Sequence, residues 1–381
     1  MRRRLSSAIV LALSIITVDF LLGSNRRTAP ILTLAQSVPS ATLGLSLMAR
    51  AEGEFYLQRE GWSAPTIVRG TTIIFPGDLI KPVSGGRVTV FCSDGTPRRL
   101  YEDIQRSLSS IGCPTNPKPS LRRDGNRIRT PRNPVDLQVP YIISPRATTL
   151  LFGSKPRLRW HRARGANSYE VQIIRVDERQ QEVVWKRKEF KETTVVPDNL
   201  SLQPGATYLL TVKADNDKSS YDEDISDIEF KVLSDAETQR IRIAKQQIDL
   251  LEMSDEVKAL VLAEFYTERD LIIDAIQTLE DAITKGNQTA IIYRTVGNLY
   301  YRIGLGFEAQ RYYSEAIKQA EDSENLEEQA LALEQRGEVY ASLGQKDEAV
   351  DWLRRARSKY ELLGDLRHLQ ELANRIEALS L

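Results

Sequence analysis

The sequence predicts a multidomain β + α protein in which two all-β regions precede an all-helical region. Its 381 residues exceed one ordinary domain and correspond to two to four. Until about residue 233, short runs of β-forming residues alternate with turns that contain glycine or proline. From Asp235 onward proline disappears, and one pattern of small and large apolar residues recurs three times. We therefore expect β structure to end near this residue and a helical repeat to begin.

The residue composition favours a non-catalytic protein. Hydrophobic residues make up 41% of the chain and charged residues 27%, which is typical of a soluble globular protein. Only two histidines, His161 and His368, and two cysteines, Cys92 and Cys113, occur in the whole chain. These are too few and too scattered to form a dedicated zinc site. We predict no enzyme activity, no cofactor and no metal site.

Charge is distributed unevenly along the chain, although its sum is zero. The net charge is +4 over residues 1–35, +5 over 36–139, +1 over 140–233 and −10 over 234–381. Such asymmetry bears on partners and solubility rather than on the fold. No segment combines enough basic residues with interleaved aromatic residues to indicate binding of nucleic acid.

Residues 1–35 have the pattern of an export signal. Three arginines precede the apolar run Leu5–Val18, which Asp19 ends, and residues 33–35 suit cleavage by a signal peptidase. The alternative is an uncleaved anchor, in which the apolar run extends to Gly23 and is nearly long enough to span a bilayer. We predict an exported protein of the periplasm or cell envelope, which contacts the membrane only if this segment is retained.

The compartment decides the state of the two cysteines. In an oxidising compartment, the only two cysteines of a chain are most simply joined, which predicts a Cys92–Cys113 disulfide. Closing a loop of this size contributes roughly 3 kcal/mol in the chain-entropy treatment. Two buried free thiols are the alternative if the protein is cytosolic.

Residues 41–113 predict a small all-β domain. Turns that contain glycine separate four β-rich runs, namely Glu54–Gln58, Thr66–Val68, Thr71–Phe75 and Arg87–Phe91. Residues 70–80 hold a Gly-Asp turn, and residues 86–95 form a strand that ends in Asp-Gly. This combination resembles the FecR-type β domain, which in its family lies in the periplasm as part of transmembrane regulators. We do not carry the signalling role over, because no cytoplasmic segment precedes the apolar run.

The glycine and aspartate residues that carry this resemblance are interpreted as turn residues. They are Gly77, Asp78, Asp94 and Gly95.

Residues 114–139 predict an extended linker, because five prolines at this density prevent a helix or a central strand. The segment also carries five arginines, at positions 122, 123, 127, 129 and 132. They either contact an anionic wall polymer or lipid surface, or form a solvated tether.

Residues 140–233 predict a second all-β domain. Trp160 ends an alternating strand, Tyr169 lies in the next one, and a Leu-x-Pro-Gly-x-x-Tyr sequence ends at Tyr208. These landmarks resemble a fibronectin type III sandwich, in which Trp160 and Tyr169 would fill the space between two sheets. The resemblance implies that Tyr208 bonds back to the upstream backbone. An acidic stretch over residues 215–227 lacks the spacing of a calcium loop.

Residues 235–381 predict a helical repeat. Ala263, Gly297 and Gly337 occupy the same repeat position, at spacings of 34 and 40 residues. In the middle repeat the pattern comprises Tyr293, Val296, Gly297, Tyr300, Gly304, Ala309, Tyr313 and Ala316. It resembles the tetratricopeptide signature, in which small residues allow two helices to cross closely. The spacing of 40 implies a lengthened second helix or loop, and helices near 236–252 and 365–379 are expected to cap the array.

The tetratricopeptide resemblance implies a concave face lined by the first helix of each repeat, here called the predicted groove. Arg294 and Asn298 lie four residues apart on one helix face, as in family members that grip a peptide carboxylate. Leu331 and Gln335 stand where those family members carry further basic residues. Alternatively, Arg294 and Asn298 form hydrogen bonds within the repeats. The mixed charges suit an extended or helical peptide. The candidate binding residues are Glu264, Glu268, Arg294, Asn298, Tyr301, Arg302, Glu334 and Glu338.

Two functional hypotheses follow. The first is a non-catalytic exported adaptor or scaffold that binds a protein or peptide partner through the predicted groove. The alternative is a cell-wall or glycan-binding envelope protein that acts through the basic N-terminal β half, with Trp62 and the linker arginines as contacts. Carboxylates are abundant in the helical region, but the pattern places them on solvated faces, which does not favour an enzyme.

Overall fold

The structure is a computed structural model, and all the residues it describes belong to one compact unit. The predicted export signal and nearly all of the predicted linker lie outside these residues. The described ranges are 49–114, 137–177, 180–190, 192–221 and 229–381.

Residues 49–113 form a β module. Its strands are β1 (Ala49–Gln58), β2 (Thr66–Ile74), β3 (Leu79–Pro82), β4 (Val88–Phe91), β5 (Pro97–Leu100) and β6 (Arg106–Ser107). The sheet order is β5-β4-β1-β3-β6, and β2 pairs with the length of β1. The two short runs predicted between residues 66 and 75 form one strand, β2, because Gly70 continues the pairing with a φ of 102°. Phe55, Leu57 and Ile80 are fully buried in its core.

The β module contains a tight β4–β5 turn and a disulfide. Asp94 Oδ1 accepts hydrogen bonds from the backbone N–H and the hydroxyl of Thr96, and Gly95 takes a φ of 79° in the same β4–β5 turn. Cys92 and Cys113 are joined in a disulfide with 5.2 Å between their Cα atoms. The disulfide ties the segment after β6 to the end of β4.

Residues 137–233, where described, form a second β module, here called the sandwich. Its strands are β7 (Ile142–Ser144), β8 (Thr148–Leu150), β9 (Leu158–Trp160), β10 (Ser168–Val176), β11 (Gln181–Phe190), β12 (Thr194–Val195), β13 (Thr207–Ala214) and β14 (Phe230–Val232). They form a five-stranded sheet in the order β11-β10-β13-β14-β8 and a three-stranded sheet in the order β12-β9-β7.

One core joins the two sheets of the sandwich. Trp160 meets Tyr169 edge to face at 5.5 Å between ring centroids, and both side chains are buried. The Tyr208 hydroxyl accepts a hydrogen bond of 2.6 Å from the backbone N–H of Gln203, upstream of it in the chain. This geometry agrees with the roles expected for the three residues, while the fibronectin type III assignment stays a prediction.

Residues 235–381 form the helical region. The helices are α1 (Asp235–Asp249), α2 (Asp255–Thr267), α3 (Ile272–Thr284), α4 (Ala290–Arg302), α5 (Gly306–Asp322), α6 (Leu326–Ser342), α7 (Lys346–Leu363) and α8 (Leu366–Ser380). Among the described residues, no helix is both long enough and apolar enough to cross a membrane.

Helix pairs cross closely where the sequence pattern places small residues. A Cβ atom on Gly297 would lie 2.6 Å from the Tyr313 ring, and one on Gly337 would lie 2.8 Å from Leu353. Both distances are shorter than any ordinary contact, so the crossing of α4 with α5, and of α6 with α7, depends on glycine. Arg336 departs from the pattern and instead stacks on the Trp352 ring at 3.9 Å.

The spacing of 40 residues lengthens two helices instead of one. Helix α5 has 17 residues where α3 has 13, and α6 has 17 residues where α2 and α4 have 13. The sequence predicted a longer second helix or a longer loop. It did not predict the added first turn of α6. This turn carries Glu327 and Glu328, and Asn325 caps it by accepting the Glu328 N–H at 3.1 Å.

Candidate functional site

The N-terminal ends of α2, α6 and α8 form an acidic edge of the helical region. Glu256 lies in the first turn of α2, Glu327 and Glu328 lie in the first turn of α6, and Asp365 is the N-cap of α8. Carboxylates are favoured at these positions because the first N–H groups of a helix carry partial positive charge. The β module packs against this edge.

Arg59 is the central contact between the β module and the acidic edge. Its Nε and Nη2 donate to the two carboxylate oxygens of Glu327 at 2.6 and 2.9 Å, and its Nη1 donates to Asp78 Oδ2 at 2.5 Å. Burial raises the pKa of the Asp78 carboxyl to about 6, although the Arg59 charge and the Phe75 N–H oppose the shift. Asp78 is therefore more than a turn residue, because it also holds the guanidinium in place.

Two further contacts extend this interface along β1 and β2. Arg50 Nη2 donates to Glu264 Oε2 at 2.8 Å, with the two side chains only 4% and 11% exposed. Thr71 donates to Glu256 Oε2 at 2.8 Å, and Thr289 donates to the other oxygen of Glu256 at 2.5 Å. Burial raises the pKa of the Glu256 carboxyl. Part of the predicted groove is thus covered by the β module of the same chain.

The interpretation of Trp62 as a wall or glycan contact is wrong. Its side chain is 6% exposed, and Nε1 donates to Asp365 Oδ2 at 3.0 Å. Asp365 also accepts the backbone N–H of His368 at 3.0 Å. Against the effect of burial, hydrogen bonds from His368 and Trp62 lower the pKa of the Asp365 carboxyl to about 2. The indole fastens the β module to the start of α8 and is not accessible to a polymer.

The sandwich packs against the helical region near the C-terminal ends of α2 and α4. The backbone N–H of Thr149 donates to the carbonyl of Asp270 in the α2–α3 turn at 2.9 Å. The Thr148 hydroxyl accepts from the Ile273 N–H at 3.3 Å. Arg159 Nη1 donates to the Tyr300 hydroxyl at 3.2 Å. The helices therefore lie between two β modules, one at each end of α2.

The two residues predicted to grip a peptide make contacts inside the helical region. Arg294 donates through Nε and Nη2 to the two oxygens of Glu328 at 2.7 and 2.8 Å, and the side chains are 12% and 2% exposed. Asn298 Oδ1 accepts from the Tyr313 hydroxyl at 2.8 Å. The Asn298 contact lies within one repeat, as in the alternative role, whereas the Arg294 contact joins two repeats and was not predicted. Both contacts occupy the groups that a peptide carboxylate would need.

The remaining candidate residues divide by exposure. Glu334 accepts from the Tyr360 hydroxyl at 2.6 Å, and burial raises the pKa of the Glu334 carboxyl. Glu338 accepts two hydrogen bonds from Arg375 at 2.9 and 2.8 Å on a more exposed surface. Glu268 and Arg302 are also part-exposed at the C-terminal ends of α2 and α4.

These part-exposed groups, together with Tyr301, form one surface, here called the open groove. Tyr301 lies beside Ser342, Glu338 and Arg375. Burial raises the pKa of the Tyr301 hydroxyl. Arg302 Nη2 lies 3.9 Å from Asp270. The residues of the open groove are Glu268, Tyr301, Arg302, Glu338, Ser342 and Arg375.

The contacts of the β module with the helices were not predicted from the sequence. Arg59, Thr71 and the first turn of α6 carry no motif, and the pairs they form are 185 to 268 residues apart in the chain. The charge asymmetry does not indicate them, because residues 49–113 carry eight basic and seven acidic residues and most of the excess positive charge of residues 36–139 lies in 114–139.

Metal binding has no support in the part of the chain that the structure describes. There, no group of three His, Cys, Asp or Glu side chains could hold a metal ion.

The tetratricopeptide repeat family model matches residues 288–361, which correspond to α4–α7. No curated protein sequence matches the chain. The helical region is therefore tetratricopeptide-like, and it follows an N-terminal β-rich region.

Three solved structures are similar to part of the chain. The TPR2B domain of yeast Sti1, in a pHsp70 complex, is 14% identical over 34% of this chain and 98% of that one, with a TM-score of 0.30. The MamA protein is 18% identical over 38% of this chain and 85% of that one, with a TM-score of 0.27. PilW, a type IV pilus biogenesis factor, is 21% identical over 38% of this chain and 72% of that one, also with a TM-score of 0.27. Values this low say nothing about a shared function.

Proposed function

We propose that this chain is a non-catalytic, exported scaffold that binds a protein or peptide partner through the open groove of its tetratricopeptide-like region. The observation that carries the proposal is the contrast within the predicted groove. Arg294 and Glu264 are buried in contacts with the rest of the molecule, whereas Arg302, Glu338 and Arg375 stay part-exposed.

The chemistry of the open groove suits a peptide of mixed charge. Its ion pairs are part-exposed, and such pairs contribute little to stability, typically about 0–1 kcal/mol. A partner can therefore replace them with its own charges at small cost. Tyr301 supplies an aromatic surface between them, and tyrosine and arginine are enriched among the residues that dominate binding energy.

The β modules act in this proposal as supports that hold the helices at both ends. The FecR-like and fibronectin type III-like identities of these modules belong to the same proposal, and they imply an envelope location. The Cys92–Cys113 disulfide supports export, because disulfides persist in oxidising compartments and are rare in the cytosol.

The test of the groove is site-specific photo-crosslinking in living cells. A benzophenone side chain at Ser342, in the open groove, should form a discrete cross-linked product with a partner. The same group at Lys318, on the exposed surface of α5, should not. The charge reversal Arg302→Glu/Arg375→Glu should reduce the product about tenfold.

The matched control for this charge reversal is Lys318→Glu/Lys346→Glu, which changes the net charge equally at two exposed positions. It should leave the product unchanged. An equal product from positions 342 and 318, or equal loss in both double variants, would contradict binding through the open groove.

Export is tested separately on protein taken directly from cells. A maleimide reagent should label Cys92 and Cys113 only after reduction. The mass of the mature chain should show whether cleavage follows residue 35. Two thiols that react without reduction would place the protein in a reducing compartment.

A further inference from the structure

A cavity of about 340 Å³ lies along β5, at the edge of the β-module sheet. Among the described residues β5 pairs with β4 on one side only. Of the other outer strands, β2 contacts the acidic edge of the helical region and β6 pairs with β3. The cavity is therefore a different surface from the open groove and from the interface with the helices.

Positive charge dominates the lining of this cavity. Arg98, Arg99 and Arg106 line it, and the one acidic lining residue, Glu102, lies 3.3 Å from Arg106. In the part of the chain that the structure describes, Arg98 and Arg99 have no carboxylate within 4.0 Å. Arg98 Nη1 donates to the adjacent Pro97 carbonyl at 3.4 Å, which leaves its charge unmatched.

Several other arginines of the β module are paired with carboxylates, although the exposed Arg87, outside the cavity, is not among them in the described residues. Arg59 pairs with Asp78 and Glu327, and Arg69 lies within 4.0 Å of two carboxylates. Arg98 and Arg99 thus combine an unmatched charge with a place in the cavity lining, where they can recognise an anion from outside. Planar guanidinium groups bind carboxylates with two parallel hydrogen bonds, which gives direction as well as affinity.

The same cavity has an apolar side. Tyr101 is 60% exposed and Ile104 is 47% exposed, and both line the cavity next to the arginines. An inorganic anion would leave this surface in water. A ligand that carries carboxylates and an apolar side chain at nearby positions would use both halves of the lining.

The backbone of β5 contributes little to recognition. Cys92 N–H donates to the Thr96 carbonyl at 2.9 Å, so the alternation of antiparallel pairing directs the backbone groups of Arg98 toward β4 and those of Pro97 and Arg99 outward. Proline has no N–H, so the strand offers a partner only the N–H of Arg99. A short edge that carries proline and charge resists the addition of a strand.

We propose that this cavity binds an acidic peptide segment of a partner protein. The carboxylates of the segment pair with Arg98 and Arg99, and an apolar side chain packs on Tyr101 and Ile104. The site gives the scaffold a second contact, independent of the open groove, and selects for partners with acidic sequences.

The test is fluorescence anisotropy with the full, oxidised chain and a short fluorescein-labelled peptide that alternates glutamate with leucine. The peptide should bind, and the double variant Arg98→Gln/Arg99→Gln should weaken binding at least about tenfold. Tyr101→Ala should weaken it severalfold. The matched control, Arg240→Gln/Arg357→Gln, removes the same charge from exposed positions on α1 and α7 and should bind like the parent.

All variants should keep the parent circular dichroism spectrum, because every substituted side chain is exposed or part-exposed. A glutamine–leucine peptide that binds equally well would overturn the proposal, as would full binding by the Arg98→Gln/Arg99→Gln variant. So would displacement of the peptide by inorganic phosphate with no effect of Tyr101→Ala, which would define a bare anion site. Tighter binding of polygalacturonate than of the peptide would assign the cavity to an acidic glycan. If the parent is a dimer in solution and the Arg98→Gln/Arg99→Gln variant is a monomer, the cavity binds a second copy of the chain instead.

Discussion

The β module and the sandwich both pack against the helical region, and at α2 they contact opposite ends by different chemistry. At the N-terminal ends, carboxylates in first turns and caps, such as Glu256 and Asp365, accept from Thr71 and Trp62, and Glu327 pairs with Arg59. At the C-terminal end of α2, the backbone N–H of Thr149 donates to the Asp270 carbonyl in the following turn. Elsewhere the sandwich also brings Arg159 within 3.7 Å of Glu280 and His161 within 2.6 Å of Glu308.

The polarity of the helix explains this difference. The first turn of a helix has unpaired N–H groups and attracts acidic side chains, whereas the last turn has unpaired carbonyl oxygens that need donors. A contact at an N-terminal end therefore supplies donors to carboxylates, here a guanidinium, an indole and a hydroxyl, and a contact at a C-terminal end can use neutral donors to carbonyl oxygens. Residues 49–113 carry eight basic and seven acidic residues, so the interface depends on where Arg50, Arg59 and Arg69 lie and not on a basic module.

The largest expected effect comes from breaking the basic contact. Arg59→Met keeps an unbranched chain in place of the aliphatic part of arginine but leaves Asp78 and Glu327 buried without their guanidinium. Removing one partner of a buried ion pair costs about 3–5 kcal/mol of unfolding free energy. Urea unfolding followed by circular dichroism measures it. A loss below about 1 kcal/mol would show that the interface does not depend on this pair.

The next effect concerns the pH dependence of the same contact. Burial raises the pKa of Asp78 from 3.8 to about 6, so the folded protein holds this proton more tightly than the unfolded chain does. The resulting stability is complete below about pH 4 and is lost as the pH rises through about 6. The loss is on the order of 2–3 kcal/mol. Asp78→Asn keeps an acceptor for the Phe75 N–H but cannot titrate.

Between pH 4 and pH 7, the unfolding free energy of Asp78→Asn should therefore rise by about 2–3 kcal/mol relative to that of the parent. Titration in urea at several pH values measures the difference, and other titrating groups cancel in it. A constant difference would mean that the carboxyl titrates alike in the folded and unfolded states.

The neutral contact of the sandwich should cost less to break. Thr148→Val keeps the shape of the side chain and removes the hydroxyl that accepts from the Ile273 N–H. The hydroxyl also donates to the Asp270 carbonyl at 3.3 Å, so a part-buried N–H and a carbonyl each lose a partner, which costs about 1–2 kcal/mol. Because no charge is involved, the cost should be the same in low and high salt. A cost that falls with salt would show that the two interfaces do not differ in the way described here.

The helical repeat could be predicted from the sequence because its signals are local. Gly297 and Gly337 recur at a position where a Cβ atom would collide with the neighbouring helix, so the pattern and the packing have the same cause. Tyr208 and its upstream hydrogen bond are likewise close in sequence. Contacts of this kind follow from spacing alone.

The contacts between modules could not be predicted in this way. Many arginines and glutamates are available, and nothing in their spacing pairs Arg59 with Glu327. Arg294 shows the same limit within the repeat. The spacing of 40 residues indicates an insertion, but only the structure shows that the added turn of α6 brings Glu328 to Arg294. The predicted groove residue is thereby held by a group from outside the repeat pattern.

The smallest expected effect is at the exposed rim of the basic contact. Arg69 lies 3.2 Å from Glu54 and 2.8 Å from Glu324, but the three side chains are 42%, 49% and 77% exposed. Water and salt screen such charges, so Arg69→Gln should change the unfolding free energy by less than about 1 kcal/mol, and by still less at high salt. Urea unfolding at low and high salt measures it. A loss as large as that of Arg59→Met would contradict the view that the buried guanidinium, rather than the total charge of the β module, holds the module to the helices.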